Sequence, residues 1–345
     1  MKENDNDKRL NKEEEDYQSI LKESIEEFEE TYKPSDEVQK TIIRKGKNQA
    51  LLTTIFISLA VLLLIIPVMT LLTYIYYGGI NGKANTEIEV AANLIYVTEP
   101  NMHLEKMRIE DDIGFFSMSI HFDVFKRIGM EDYRVGDYDI DYFLDRPSFP
   151  QRNLLLERPP ENIPQPETEF LFHPDAYVPY DRGGEWNILE GLPDGTVSEV
   201  YVSFTEMMEP DEVKRMFGRD VEVRWLAVNS GQEGRQRDIN GLPITPLGYP
   251  AQIDRTTWSP FNGRSKNEDV FIEILELLHE NEESATVLAR AKSLALEERL
   301  SFIKENGIEV YGAVITGPTP ELREVQDIDE VRAIKVGEVK LWNWK

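Results

Sequence analysis

Residues 50–77 read ALLTTIFISLAVLLLIIPVMTLLTYIYY, 28 consecutive positions without a charge. A bilayer core about 30 Å thick needs about 20 helical residues, so this run predicts one membrane-spanning helix with some tilt. Forty-nine residues precede it, which excludes a cleaved signal peptide. Tyr74, Tyr76 and Tyr77 close the run and are expected as an interfacial aromatic girdle. Pro67 removes one helix hydrogen bond, which membrane helices tolerate as a kink.

Basic residues beside the span predict its orientation. Lys40, Arg44, Lys45 and Lys47 precede it within 15 residues, and only Lys83 follows within the same distance. The N-terminus is therefore expected in the cytoplasm and the C-terminal domain outside the cell. The whole chain of 345 residues carries 38 Lys and Arg against 64 Asp and Glu, a net charge of −26. Residues 1–49 account for −4 of this and the remainder for −22. Such an acid excess argues against direct nucleic-acid binding, which needs a basic face for phosphate. With no cysteine, disulfides, thiol catalysis and Cys-ligated metals are excluded, and only four histidines are available for other metal or acid–base work.

The arm before the span has an ordered apolar stripe. Tyr17, Leu21, Ile25, Phe28 and Tyr32 recur at spacings of 4, 4, 3 and 4, with Ile20 beside them, and glutamates such as Glu14, Glu23, Glu26 and Glu30 fill the rest. This predicts an amphipathic helix ended by Pro34, followed by a second helix from Ser35 or Asp36 that runs into the span. A lone amphipathic helix cannot bury its own stripe, so the arm is either a disordered, solvated tail or is covered by another chain, a second copy or a partner, and partner docking is the expectation. An acidic helix with an apolar seam suits a basic, grooved partner of the kind that binds DNA.

Beyond the span, residues 78–90 read as a linker. Residues 113–144 alternate as strands: Phe116, Met118, Ile120 and Phe122 against Ser117, Ser119 and His121, then Tyr138, Ile140 and Tyr142 against Asp137, Asp139 and Asp141. A proline-rich connector covers 146–183. Strands are expected at 198–205, 221–228, 308–316 and 331–342, the last a strand or a hairpin around Gly337. Short helices are expected at 210–217 and 320–326, one long or two shorter helices at 269–304, and a loop rich in Gly and Pro at 230–267. The fold class is α+β: a single-pass helix with a cytoplasmic helical arm, and an external mixed domain of β–α–β-like units. The divisions are 1–49 arm, 50–77 span, 78–185 β-rich region with connector, and 186–345 α+β domain.

Several stretches carry a resemblance. Residues 192–204 (LPDGTVSEVYVSF), 223–229 (VRWLAVN), 310–319 (VYGAVITGPT), 332–339 (RAIKVGEV) and Trp342-Asn343-Trp344 resemble the C-terminal domain of bacterial sigma factor regulators. Residues 30–100, with Arg44-Lys45-Gly46-Lys47 entering the span, are similar to the family's N-terminal region. The resemblance implies a membrane-bound anti-sigma factor whose arm holds an extracytoplasmic-function sigma factor and whose external domain responds to envelope stress. A second membrane protein is a further candidate partner. No motif transfers the sigma-binding residues, so the candidates are those of the stripe. The alternative class is an envelope-anchored binding or scaffold protein with no sigma partner.

No catalytic constellation, cofactor or metal site is expected. His279-Glu280 starts like a zincin motif, but Glu283 stands where the second histidine belongs. Asp137, Asp139 and Asp141 share one strand face and read as solvated. Gly183-Gly184 reads as a turn, and Trp342 and Trp344 as caps on a core.

Overall fold

The computed structural model describes residues 4–32, 35–78, 82–158, 165–178, 182–235, 237, 241–255 and 259–344. Two compact units divide the chain, Met1–Thr70 and Leu71–Lys345. The first holds helix α1 (Asn4–Tyr32) and most of α2 (Asp36–Tyr77). Helix α2 is uninterrupted through Pro67 and is the one described helix long and apolar enough to cross a membrane.

The second unit is built on two sheets. Strands β1 (Met102–Ile113), β2 (Ser117–Ile128), β3 (Glu131–Phe143), β4 (Arg146–Pro147) and β5 (Gln151–Leu154) form an antiparallel sheet, with both β4 and β5 paired to β3. Period-two alternation sets its register: Phe122 pairs with Tyr138, Ile120 with Ile140 and Met118 with Tyr142, all buried. The second sheet has the order β10 (Val331–Leu341), β6 (Thr196–Met208), β9 (Val310–Pro318), β7 (Glu222–Val228) and β8 (Leu247–Pro250). Every neighbouring pair in it is antiparallel. The crossover from β6 through α5 (Pro210–Met216) therefore skips over β9 to reach β7, and that from β9 through α9 (Thr319–Arg323) skips over β6 to reach β10. Strand β10 is one strand with a register shift at Gly337, not a hairpin. A Cβ on Gly337 would collide with the Glu199 carboxylate, so the residue must stay glycine.

Three helices, α6 (Asn267–Glu280), α7 (Glu282–Leu288) and α8 (Leu296–Asn306), stand where one long or two shorter ones are expected at 269–304, and one core joins them to both sheets. Phe170 and Leu171 of the proline-rich connector pack with Trp225 and Tyr311 on the sheet's other face. Three expectations are corrected. The loop expected at 230–267 contains β8, which extends the second sheet by pairing with β7. Residues 83–90 are not linker: they are the first half of α3 (Lys83–Thr98), which is buried on nearly every side against β1, β8, α6 and α7. Gly183 and Gly184 lie inside the first turn of α4 (Arg182–Gly191) rather than in a turn.

Burial of acids makes stability depend on pH with an unusual sign. Burial pushes Glu87 up to about 7, from an ordinary value of 4.5. It also raises Glu99, Glu167 and Glu338. Each holds a proton in the folded chain at a pH where the unfolded chain has released it, so stability falls as pH rises above about 4.5, for Glu87 and Glu167 up to about 7. His121, raised by its bond to Asp139, acts the same way as pH climbs past 6.5. His103 and His173, lowered by burial, oppose it. Lowered carboxyls such as Asp137 and Glu233 lose their contribution only below about 4.5. The raised carboxyls outnumber the two histidines, so the thermal midpoint is expected to be several degrees higher at pH 5.5 than at pH 7.5. A lower midpoint at pH 5.5, followed by Trp fluorescence, refutes this.

Candidate functional site

The arm presents its apolar side chains to solvent. On α1, Tyr17, Ile20, Leu21, Ile25 and Phe28 are all exposed, Leu21 at 40% and Ile25 at 53%. Tyr32 ends the helix, and its side chain lies outside the described residues, as do Lys33 and Pro34. The spacing sets Tyr17, Leu21, Ile25 and Phe28 along one face, with Glu23 and Glu30 opposite. Exposed apolar surface in this regular pattern is what a docking helix offers. Arg44, Lys45 and Lys47 follow on α2, exposed, immediately before the uncharged run.

The larger unit encloses a cavity of about 790 Å³ between β1–β2 and β7–β8. Its polar walls are His103, Arg127, Asp132, Glu222 and Arg224, and Trp225 forms part of its apolar wall. Arg224 Nη1 donates to Glu222 Oε1 at 2.9 Å, and Arg127 Nη1 lies 3.1 Å from Asp132 Oδ2. Burial lowers the pKa of both Arg224 and His103, while Glu222 and Asp132 respectively pull back. Arg127 and Arg224 each face a carboxylate, and Asp254 and Arg255 add one further charge of each sign to the lining.

Other singled-out groups resolve into structural roles. His121 Nδ1 is 2.6 Å from Asp139, and these two with Asp137 form a cluster of metal-ligand types. Arg134 already pairs with Asp123 and Asp137 there, supplying the positive charge an ion would bring. Asp141 accepts from Ser119 Oγ at 2.7 Å. His279 Nδ1 faces Glu282 at 3.5 Å. Trp342 is half exposed rather than a core cap, and Trp344 Nε1 donates to Asp220 at 3.3 Å.

A buried ionic cluster escaped the sequence reading. Lys126 of β2 is fully buried, and its Nζ lies 2.9 Å from Glu199 Oε2, 2.9 Å from the Tyr201 hydroxyl and 2.6 Å from Glu167 Oε2. Burial works to lower its pKa, but the carboxylates of Glu167 and Glu199 outweigh it and raise the value. Asn101 Nδ2 donates to the other Glu199 oxygen at 2.7 Å. One lysine thus ties the first sheet to the second. Residue parity was the available signal: position 126 shares the inward phase of 118, 120, 122 and 124.

The chain thus combines an exposed apolar stripe on α1, a helix long and apolar enough to cross a membrane and a two-sheet body. The sigma factor regulator C-terminal family matches residues 189–338, and the sigma factor regulator N-terminal family matches residues 40–133. A Bacillus subtilis (strain 168) protein named "Probable anti-sigma-M factor YhdL" is 31% identical over 335 residues, covering 95% of this chain and 90% of that protein. The chain belongs to the sigma factor regulator family of anti-sigma factors. No solved structure matches it.

Proposed function

We propose that the protein is a single-pass membrane anti-sigma factor whose cytoplasmic arm sequesters an extracytoplasmic-function sigma factor. The chain beyond the span, residues 78–345, lies outside the cell and answers to the state of the envelope. The observation that carries the reading is the exposed apolar stripe of α1, with Tyr17, Leu21, Ile25, Phe28 and Tyr32 as the docking residues. The four basic residues before the span against one after it support the orientation. The relative's name supports a sigma factor as the partner. The seat of signal reception in this reading is the cavity beside Trp225, and a second membrane protein beside the span is a further partner.

The test is co-purification. The full chain, captured in detergent from bacterial membranes, is expected to bring down a sigma factor, and a chain lacking residues 4–32 is not. Retention of the sigma factor by the shortened chain overturns the reading. Orientation is read separately by labelling a Leu341→Cys variant in intact cells with a membrane-impermeant maleimide. Labelling only after lysis overturns the external placement of the body.

A further inference from the structure

The end of α2 is held by the tips of two hairpins. Tyr77, expected in an interfacial girdle, is instead buried, and its hydroxyl donates to the carbonyl of Leu144 at 2.7 Å and lies 3.2 Å from that of Phe116. Phe116 and Leu144 both take the left-handed backbone conformation, φ 52° and 59°, that turns their chains at the tips of β1–β2 and β3–β4. The Phe116 amide donates to Thr73 Oγ1 at 3.2 Å, and the rings of Tyr76 and Phe116 are 6.5 Å apart. The pairing of Ser117 with Phe143, and of Phe143 with Arg146, sets both tips at this one end of the sheet.

The outer side of this latch is apolar. Ile113, Phe115 and Phe143 are exposed at 42%, 53% and 65%, and Tyr74 on the adjoining turn of α2 is exposed at 68%. The face above carries His121, Asp123, Asp137, Asp139 and Asp141, so the aromatic end is a local departure from a polar sheet face. The uncharged run of 28 residues is about 42 Å long as a helix, some 12 Å more than a bilayer core. Its last turns, which bear Thr73, Tyr76 and Tyr77, therefore reach the headgroup layer, where aromatic side chains partition.

We propose that the two tips, through Phe115 and Phe143 with Ile113, insert into the lipid headgroup layer of the bilayer that α2 crosses. This rests on α2 being a membrane span, and holds for either orientation. The occupant of the apolar patch is the lipid surface itself, because Tyr77 fixes the tips beside the helix end. Depth is limited by the exposed carboxylates of Asp112 and Asp145, while the Arg146 guanidinium beside Phe143 suits lipid phosphate. The body is thereby docked on the membrane at two tips besides its covalent tether.

Because the chain has no cysteine, single spin labels report the contact directly. Phe115→Cys, Phe143→Cys, Leu63→Cys in the span and Leu341→Cys on the far strand are each labelled in the full chain. They are reconstituted in vesicles of phosphatidylethanolamine and phosphatidylglycerol. Collision with oxygen relative to a water-soluble nickel chelate is expected to be at least roughly threefold higher at 115 and 143 than at 341, approaching that at 63. Values at 115 and 143 equal to that at 341, with 63 in lipid, overturn the docking and leave the span intact. A water-like value at 63 overturns the span, and the docking with it. Ile113→Cys repeats the measurement should a label at Phe115 shift the unfolding midpoint.

Discussion

Lys126→Met is expected to destabilise the body by about 3–5 kcal/mol at pH 7.5, the usual effect of removing one member of a buried ion pair. Methionine preserves most of the lysine stem, so lost packing contributes little. What remains is two buried carboxylates, Glu167 and Glu199, that have lost the cation they shared, with only Arg158, 3.8 Å from Glu167, as a nearby counter-charge. Asn101 and the Glu338 amide still donate to Glu199, at 2.7 and 3.3 Å, but neutral donors offset only part of the charge. For a unit of this size the loss lowers the thermal midpoint by roughly 10 °C, near 2–4 °C per kcal/mol. Two features separate this from general damage. Protonation of the abandoned carboxyls makes the deficit shrink as pH falls toward 5. Adding Glu199→Gln to Lys126→Met removes a stranded charge and recovers part of the midpoint, as replacing whole buried pairs often does. Tryptophan fluorescence, to which the fully buried Trp225 contributes, follows the transition in the detergent-purified full chain. A single Met variant as stable as the parent at neutral pH sinks the expectation.

Local patterns were legible where one physical signal dominated. The uncharged run marked α2, the stripe marked α1, and the alternation in 113–144 placed β2, β3 and the inward Met118, Ile120, Phe122, Tyr138, Ile140 and Tyr142, whereas Phe116 lies in the turn before β2. Helix α3 was missed because it is buried on nearly all sides, so its sequence lacks the polar face that identifies a surface helix. Gly337 was read as a possible turn because glycine signals turns, whereas here it makes room for the Glu199 carboxylate. Tyr77 shows the same limit at a site: its place at the end of an apolar run suggested lipid contact, and long-range hydrogen bonds to Phe116 and Leu144 decided otherwise. The apolar stripe of α1 was legible as a pattern, since helical spacing requires no tertiary information. The Lys126 cluster unites residues 126, 167, 199 and 201 from three segments, a juxtaposition that no local window contains.

Leu21→Gln, Ile25→Gln and Phe28→Gln together should abolish repression of the partner sigma factor. Glutamine matches leucine in helix propensity, so α1 survives the change and the arm keeps its acidic face. Only the apolar seam is removed. Each large apolar side chain buried at an interface contributes about 1.5–3 kcal/mol, so losing three removes on the order of 5 kcal/mol, some thousands-fold in affinity. Aspartates at the same positions should release the partner at least as fully, because three carboxylates would then have to be desolvated. A control pair, Glu23→Gln and Glu30→Gln, alters the opposite face and should change affinity far less, chiefly through slower electrostatic steering at low salt. The readout is transcription from a promoter that depends on the bound sigma factor, with the full chain at equal membrane abundance. Unrepressed transcription in both triple variants, with near-normal repression in the control, assigns docking to the Leu21–Ile25–Phe28 seam. Repression retained by the glutamine triple variant removes the seam from consideration and transfers the contact to the acidic face.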